Sequence, residues 1–187
     1  MKKHMKWVAC LFIIATVVMF AIYPQAVLAD TAAEIDRDVD AALDKLYSRE
    51  PAAKDLAEEA KGILVFPSIV KGGLIVGGQY GEGALRVKGK TVGYYNTVAA
   101  SYGLQVGVQK FGYALFFMTD SAFKYLKESE GWEIGVGPSI VIVDKGTARS
   151  LTTTTAKSDI YAFFFDQKGL MAGGGLQGTK ITRIKKY

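Results

Sequence analysis

Gly173-Gly174-Gly175-Leu176-Gln177-Gly178 has the spacing G-x-G-x-x-G. In dinucleotide-binding proteins such glycines let the backbone approach a pyrophosphate at a helix N-terminus. Here no helical pattern follows, and no acidic residue stands downstream to hold a ribose. A bend in a strand is the expected reading. No G-x-x-x-x-G-K-[ST] phosphate loop occurs. Glu82 lies between Gly81 and Gly83, while Glu133 and Asp159 border apolar, strand-like runs. A hydrolase built on two carboxylates needs a pair assembled in space, and none of these spacings makes one. Solvated turn or edge positions are expected instead. No EF-hand spacing is present.

His4 is the one histidine and Cys10 the one cysteine. Both fall in a segment with the pattern of a secretory signal peptide. Lys2, Lys3 and Lys6 form a positive start, Trp7 to Tyr23 is uncharged and mostly apolar, and Pro24 breaks the run. Val27-Leu28-Ala29 then offers small residues for cleavage. Cys10 precedes most of the apolar run, so it does not fit a lipidated cysteine. Residues 1–29 are expected to leave on export, and with them any imidazole base, thiol nucleophile or thiolate ligand. A serine nucleophile would then need another base, which nothing marks. The expectation is a protein without catalytic residues, bound metal or cofactor. It would be periplasmic or secreted, with a place peripheral to the envelope membrane open to it; an uncleaved anchor is the alternative.

Loss of Lys2, Lys3 and Lys6, with no acid lost, lowers the net charge from +5 to +2. Nucleic-acid binding therefore has little electrostatic support. The ten tyrosines and ten phenylalanines suit core and sheet-face positions better than a base-stacking platform, which also needs a basic groove. Tyr94, Tyr95 and Tyr102 are candidates to line an amphipathic cavity. A basic tail of Lys180, Arg183, Lys185 and Lys186 leads to Tyr187. It reads as a solvated edge strand or as a contact for anionic head groups.

The elements that would position these groups fall in two parts. Residues 30–61 read helical. Ile35, Val39, Ala42, Leu43 and Leu46 recur at helical spacing opposite a largely acidic face of Glu34, Asp36, Asp38, Asp40 and Asp44. Pro51 suits the first turn of a second helix, which Gly62 can stop. Residues 62–187 read as short strands. Ile63-Leu-Val-Phe66 ends at Pro67; Tyr102, Leu104, Val106 and Val108 alternate; Phe111 to Met118 and Tyr161 to Phe165 are apolar enough for burial on both faces. Ile134 and Val136 alternate before Ser139 to Val143. Turns are expected at residues 88–90, 144–146 and 166–169. One helix, with Asp120 as its cap, Phe123 and Leu126 on its apolar side and Gly131 as its stop, interrupts the sheet.

All 21 glycines lie beyond residue 29, where they make up about 13%, against a usual value of about 7%. They gather in two blocks, residues 71–83 and 168–178. Glycine at regular places in strands allows tight coiling. The expected fold is α+β: N-terminal helices on a strongly curved, mainly antiparallel sheet or closed barrel, one domain over residues 30–187.

At these blocks the chain resembles the SYLF domain family, also called the Ysc84 family. The matching stretches are Ala60-Lys-Gly-Ile-Leu-Val-Phe-Pro67, Val70-Lys-Gly-Gly-Leu-Ile-Val-Gly-Gly-Gln-Tyr-Gly-Glu-Gly83, Gly135-Val-Gly-Pro138 and Ile160 through Gly178. The resemblance implies lipid binding. Some eukaryotic members bind phosphoinositides (phosphatidylinositol lipids), partly through an amphipathic N-terminal helix, and some bind actin. Bacterial members often carry export signals. It implies no enzymatic activity. Here the N-terminal helix is acidic, which opposes anionic membranes, and an exported protein does not ordinarily meet cytosolic actin. Lys71 and Lys168, which begin the two glycine blocks, join Lys180, Arg183, Lys185 and Lys186 as candidate lipid contacts. The expected partner is a lipid or membrane surface. An integral outer-membrane barrel and an envelope module with a protein partner are the alternatives. The barrel would need an apolar row counted back from Tyr187, where Lys185 and Arg183 stand instead.

Overall fold

A computed structural model describes residues 30–73, 76–102, 107–143, 151, 157–168 and 178–187. Two helices open it, α1 (Ala32–Arg49) and α2 (Pro51–Glu59). The Thr31 hydroxyl accepts from the Glu34 amide at 3.2 Å, and the Glu34 carboxylate accepts from the Thr31 amide at 2.8 Å. This capping box satisfies amides that have no partner in the first turn. Ile35, Val39, Ala42 and Leu46 form the buried stripe of α1. Pro51 occupies the first turn of α2, where its missing N–H costs nothing.

Eight strands follow: β1 (Gly62–Gly73), β2 (Val76–Val87), β3 (Lys90–Tyr102), β4 (Gly107–Phe117), β5 (Trp132–Glu133), β6 (Ile140–Val143), β7 (Ile160–Lys168) and β8 (Lys180–Ile184). Helix α3 (Asp120–Glu128) lies between β4 and β5. The sheet order is β5-β8-β3-β2-β1-β4-β7-β6, and only β6–β7 pairs in parallel. The fold is α+β with a strongly curled, half-barrel sheet.

Side-chain contacts reveal the curl. Thr97 on β3 and Tyr113 on β4 share a buried hydrogen bond of 2.8 Å, although β2 and β1 lie between their strands. Three strand spacings on a flat sheet would separate them by about 14 Å. Trp132, on the edge strand β5, places its ring 6.0 Å from Phe117 of β4. The inner face thus closes on itself around Leu64, Phe66, Ile69, Tyr113, Leu115 and Phe117, with Leu126 of α3 against them. The outer face carries α1 and α2 over Ile63, Val65, Ala84, Phe116, Tyr161 and Phe163. This double covering explains the unbroken apolar runs in β1, β4 and β7. Among the described residues the sheet does not close into a barrel. Its edges are the short β5 and β6, whose length limits unwanted pairing.

Three local expectations differ from the structure. β1 does not end at Pro67 but passes through it. The register of β1 shifts between Val65 and Ser68 against β2, and between Phe66 and Ile69 against β4. Proline has no N–H for the ladder, so a central strand can hold it only at such a bulge. Gly81 and Gly83 of β2 face this bulge, and a Cβ at either would run into β1 backbone oxygens, those of Ser68 and Val65. Second, residues 134–138 form turns rather than a strand, with Gly135 and Gly137 at positive φ. Third, Asp166 does not open a turn. It sits at φ 53° inside β7, opposite a register shift between Lys110 and Gly112. The expected turn at residues 88–90 is present, with Lys88 and Gly89 at φ 49° and 76°. Two positive-φ central residues match the twist of a tight hairpin. Leu104, Val106 and residues 144–146 lie outside the described residues.

Candidate functional site

Strand register places one continuous row across the outer face. Lys180 of β8 pairs with Val98 of β3, Val98 with Tyr80, Tyr80 with Val70, and Val70 with Lys110 of β4. Directly opposed residues share a face. Their sequence neighbours Ile69, Phe111, Thr97 and Ile181 point the other way, into or against the inner core. A second row, Ala100, Gly78, Gly72 and Val108, runs beside the first. α1 covers the other half of this outer face and leaves these rows open. Val70, Tyr80 and Val98 are about half exposed, and Val108 is 76% exposed. The glycines and alanine keep the surface low between the valines.

The charges around it are sorted by pairing. Glu82, one register step from Tyr80, is enclosed. Its Oε2 meets Lys186 Nζ at 2.6 Å, and its Oε1 accepts from the Tyr80 hydroxyl at 2.7 Å. Burial, and then this bond to a carboxylate, push the Tyr80 hydroxyl up to about 12. Asp166 is matched by Lys45 and Arg49 of α1. Asp36 and Asp40, part of the acidic face of α1, turn to the sheet. Arg86 reaches Asp40 at 2.6 Å, while Asp36 accepts from Thr91 at 2.6 Å and Tyr94 at 2.9 Å. The acidic helix is therefore less of a barrier to anionic partners than its sequence suggests.

The six candidate contacts do not form one cluster. Lys180 is exposed on the open outer row, with Glu133 of the edge strand β5 opposite it. Lys168 stands opposite Lys110 in the β4–β7 register. Lys71 pairs with Gln79 and Gln109, on the inner-face side of β1. Arg183 aligns with Tyr95 on the inner-face side and donates to the Val92 carbonyl at 3.4 Å. Lys185 is exposed beyond β8. Lys186 is spent on Glu82 and on the Asp30 carbonyl, at 2.9 Å. Sequence reasoning passed over Lys110. Its signal was available in the alternation of Val108 and Lys110 against the half-buried Phe111 and the buried Tyr113, but the face became visible only with the register.

The remaining candidates separate in space. Tyr94 lies under α1 and Tyr95 in the inner core, so these two line no common cavity. Asp159 accepts from Ser139 N at 3.0 Å, Ser139 Oγ at 2.8 Å and Thr119 Oγ1 at 2.9 Å. The bonds from Ser139, ahead of the one from Thr119, hold its carboxyl below the usual carboxylate range. That arrangement ties the start of α3 to the start of β6. No group of acids, histidines or cysteines among the described residues has the geometry to hold a metal ion. A cleft of about 550 Å³ lies where α1, α2 and the β2 end meet, bordered by Leu43, Tyr47, Ala57, Ile63 and Arg86. No helix among the described residues is long and apolar enough to cross a membrane.

A family model described as Ysc84, Las17-binding protein actin regulator, matches residues 98–186. That span runs from the end of β3 to the basic tail and includes the second glycine block. The search of curated proteins returns no match.

Proposed function

We propose, on the premise that this chain belongs to the Ysc84 (SYLF) family through residues 98–186, that it is an exported, non-enzymatic domain that binds lipid at a membrane surface. One observation carries this reading. The inside of the half-barrel is filled by the protein's own side chains, with Leu64, Phe66, Ile69, Tyr113 and Phe117 fully buried. A substrate would find no chamber there among the described residues. Aliphatic groups stand exposed on the outer face instead, and contiguous exposed apolar surface marks a site of interaction. The acids that sequence reasoning considered for catalysis are dispersed, with Glu82 and Asp159 engaged in structural bonds.

Export rests on the N-terminal pattern of Lys2, Lys3, Lys6 and the apolar run to Tyr23. Mass spectrometry of the protein from its native compartment is expected to find Asp30 at the N-terminus and lipid retained through purification. Co-sedimentation with vesicles of several head-group classes tests binding directly. Failure to associate with any of them, with no lipid retained, removes the reading.

The family description names a Las17-binding actin regulator, which favours a protein partner as the second reading. Pull-down from envelope extracts separates the two. An integral β-barrel is disfavoured by the helices that cover the outer face and by Lys110 and Lys180 upon it.

A further inference from the structure

Resting on that reading, we propose that the open outer face of β8, β3, β2, β1 and β4 is the surface that docks on a bilayer, and that the bilayer carries anionic phospholipid. The row Lys180–Val98–Tyr80–Val70–Lys110 crosses five adjacent strands, a path of about 19 Å measured along the curled sheet. Its centre is aliphatic and aromatic, flanked by Lys110 and Lys180, with Glu133 of β5 next beyond Lys180. Valines in the middle enter the head-group boundary, while lysine stems lie along the apolar surface and lift their ammonium groups to lipid phosphates. Tyrosine suits the same boundary because its ring is apolar and its tip polar.

Two features favour a bilayer over a folded protein as occupant. The neighbouring row of Ala100, Gly78 and Gly72 keeps the area nearly free of protrusions, which matches a broad, fluid surface. The charge suits lipid phosphate: Lys110 and Lys180 are exposed, nearby Glu82 and Asp166 are neutralised by Lys186 and by Lys45 with Arg49, and Glu133, opposite Lys180, lies outside the row on the edge strand β5. Asp38 of α1 borders the Lys110 end of this face, where it lines one cleft with Lys110 and Asp166 and is itself bonded by Arg37.

The test uses the full protein with vesicles of phosphatidylcholine alone, or of equal parts phosphatidylcholine and phosphatidylglycerol. The wild type is expected to partition to the mixed vesicles, less so at high salt. Lys110→Gln/Lys180→Gln should lower that partition by about tenfold or more. Val70→Ser/Val108→Ser should lower it as well, because the aliphatic centre is lost. Lys124→Gln/Lys127→Gln on α3, over the inner core, should change little. Circular dichroism and thermal midpoints establish that each variant is folded. Equal binding by wild type and both face variants overturns the assignment of the face and leaves membrane binding intact. Loss in the lysine pair alone overturns apolar docking in favour of simple electrostatic adsorption. Dimerisation abolished by Val70→Ser/Val108→Ser, without vesicle binding, assigns the face to a second copy and overturns the proposal. A folded wild type that binds no vesicle removes the functional reading itself.

Discussion

Glu82 and Lys186 meet at 2.6 Å with side chains only 7% and 10% exposed. The pair joins β2 to the tail after β8, and Lys186 also holds the Asp30 carbonyl ahead of α1. Breaking an enclosed pair leaves an uncompensated charge, which costs about 3 to 5 kcal/mol. Lys186→Ala is expected to lose that much in urea denaturation. Glu82→Leu/Lys186→Met should lose far less, because neither charge then remains. A single-variant loss below about 1 kcal/mol would mean that the pair behaves as a solvated one.

The glycine block makes room for the Pro67 bulge, and its members should differ sharply. Gly83→Ala puts a methyl group against the Val65 carbonyl and the Phe66 ring. A loss of about 3 kcal/mol or more is expected, at the upper end for overpacking. Gly78→Ala meets only ordinary contact, 3.7 Å from the Ala99 carbonyl oxygen, and should stay within about 0.5 kcal/mol of wild type. Similar thermal midpoints for the two would contradict the bulge argument.

Helix α1 is pinned to the sheet by Asp36 as well as by its apolar stripe. Asp36→Ala leaves the Thr91 and Tyr94 hydroxyls without their carboxylate partner. The expected loss is about 2 kcal/mol. Amide exchange should quicken in α1 more than in the paired centre of β1 and β4, since local opening follows local contacts.

Asp159 predicts an acid-side effect. Its folded pKa lies below the ordinary value because Ser139 and Thr119 donate to it. The stabilisation is therefore present above about pH 4, the unfolded carboxylate range, and is lost as pH falls through the lower folded value. Asp159→Asn should be less stable at neutral pH by about 1 kcal/mol, given its partial exposure. The difference from wild type should shrink below pH 4. A gap that stays constant with pH would assign the loss to something other than the charge.

Much of this architecture was legible in local patterns. Periodicity placed α1 and α3 and Pro51 marked the start of α2, because such signals act on neighbours a few residues away; the cap of α3 is Thr119, one residue before the expected Asp120. Unbroken apolar runs marked β4 and β7 for burial on both faces. Pro67 misled, since a proline ends most strands and only pairing with β2 and β4 reveals a bulge. The ion pair of Lys186 was not legible: in sequence it is one of four basic tail residues, and its carboxylate partner lies 104 positions away.

By itself the chain's order of residues determined the helical stripe, the strand-rich remainder, the glycine-permitted curvature and the absence of histidine and cysteine beyond Cys10. These follow from short-range periodicity and composition. The tertiary structure alone decided that the sheet stays open among the described residues, that Lys71 and Lys180 face opposite sides, and that Val70, Tyr80, Val98 and Val108 share one uncovered surface. Such facts depend on strand order and register, and a shift of one residue would turn every side chain to the other face.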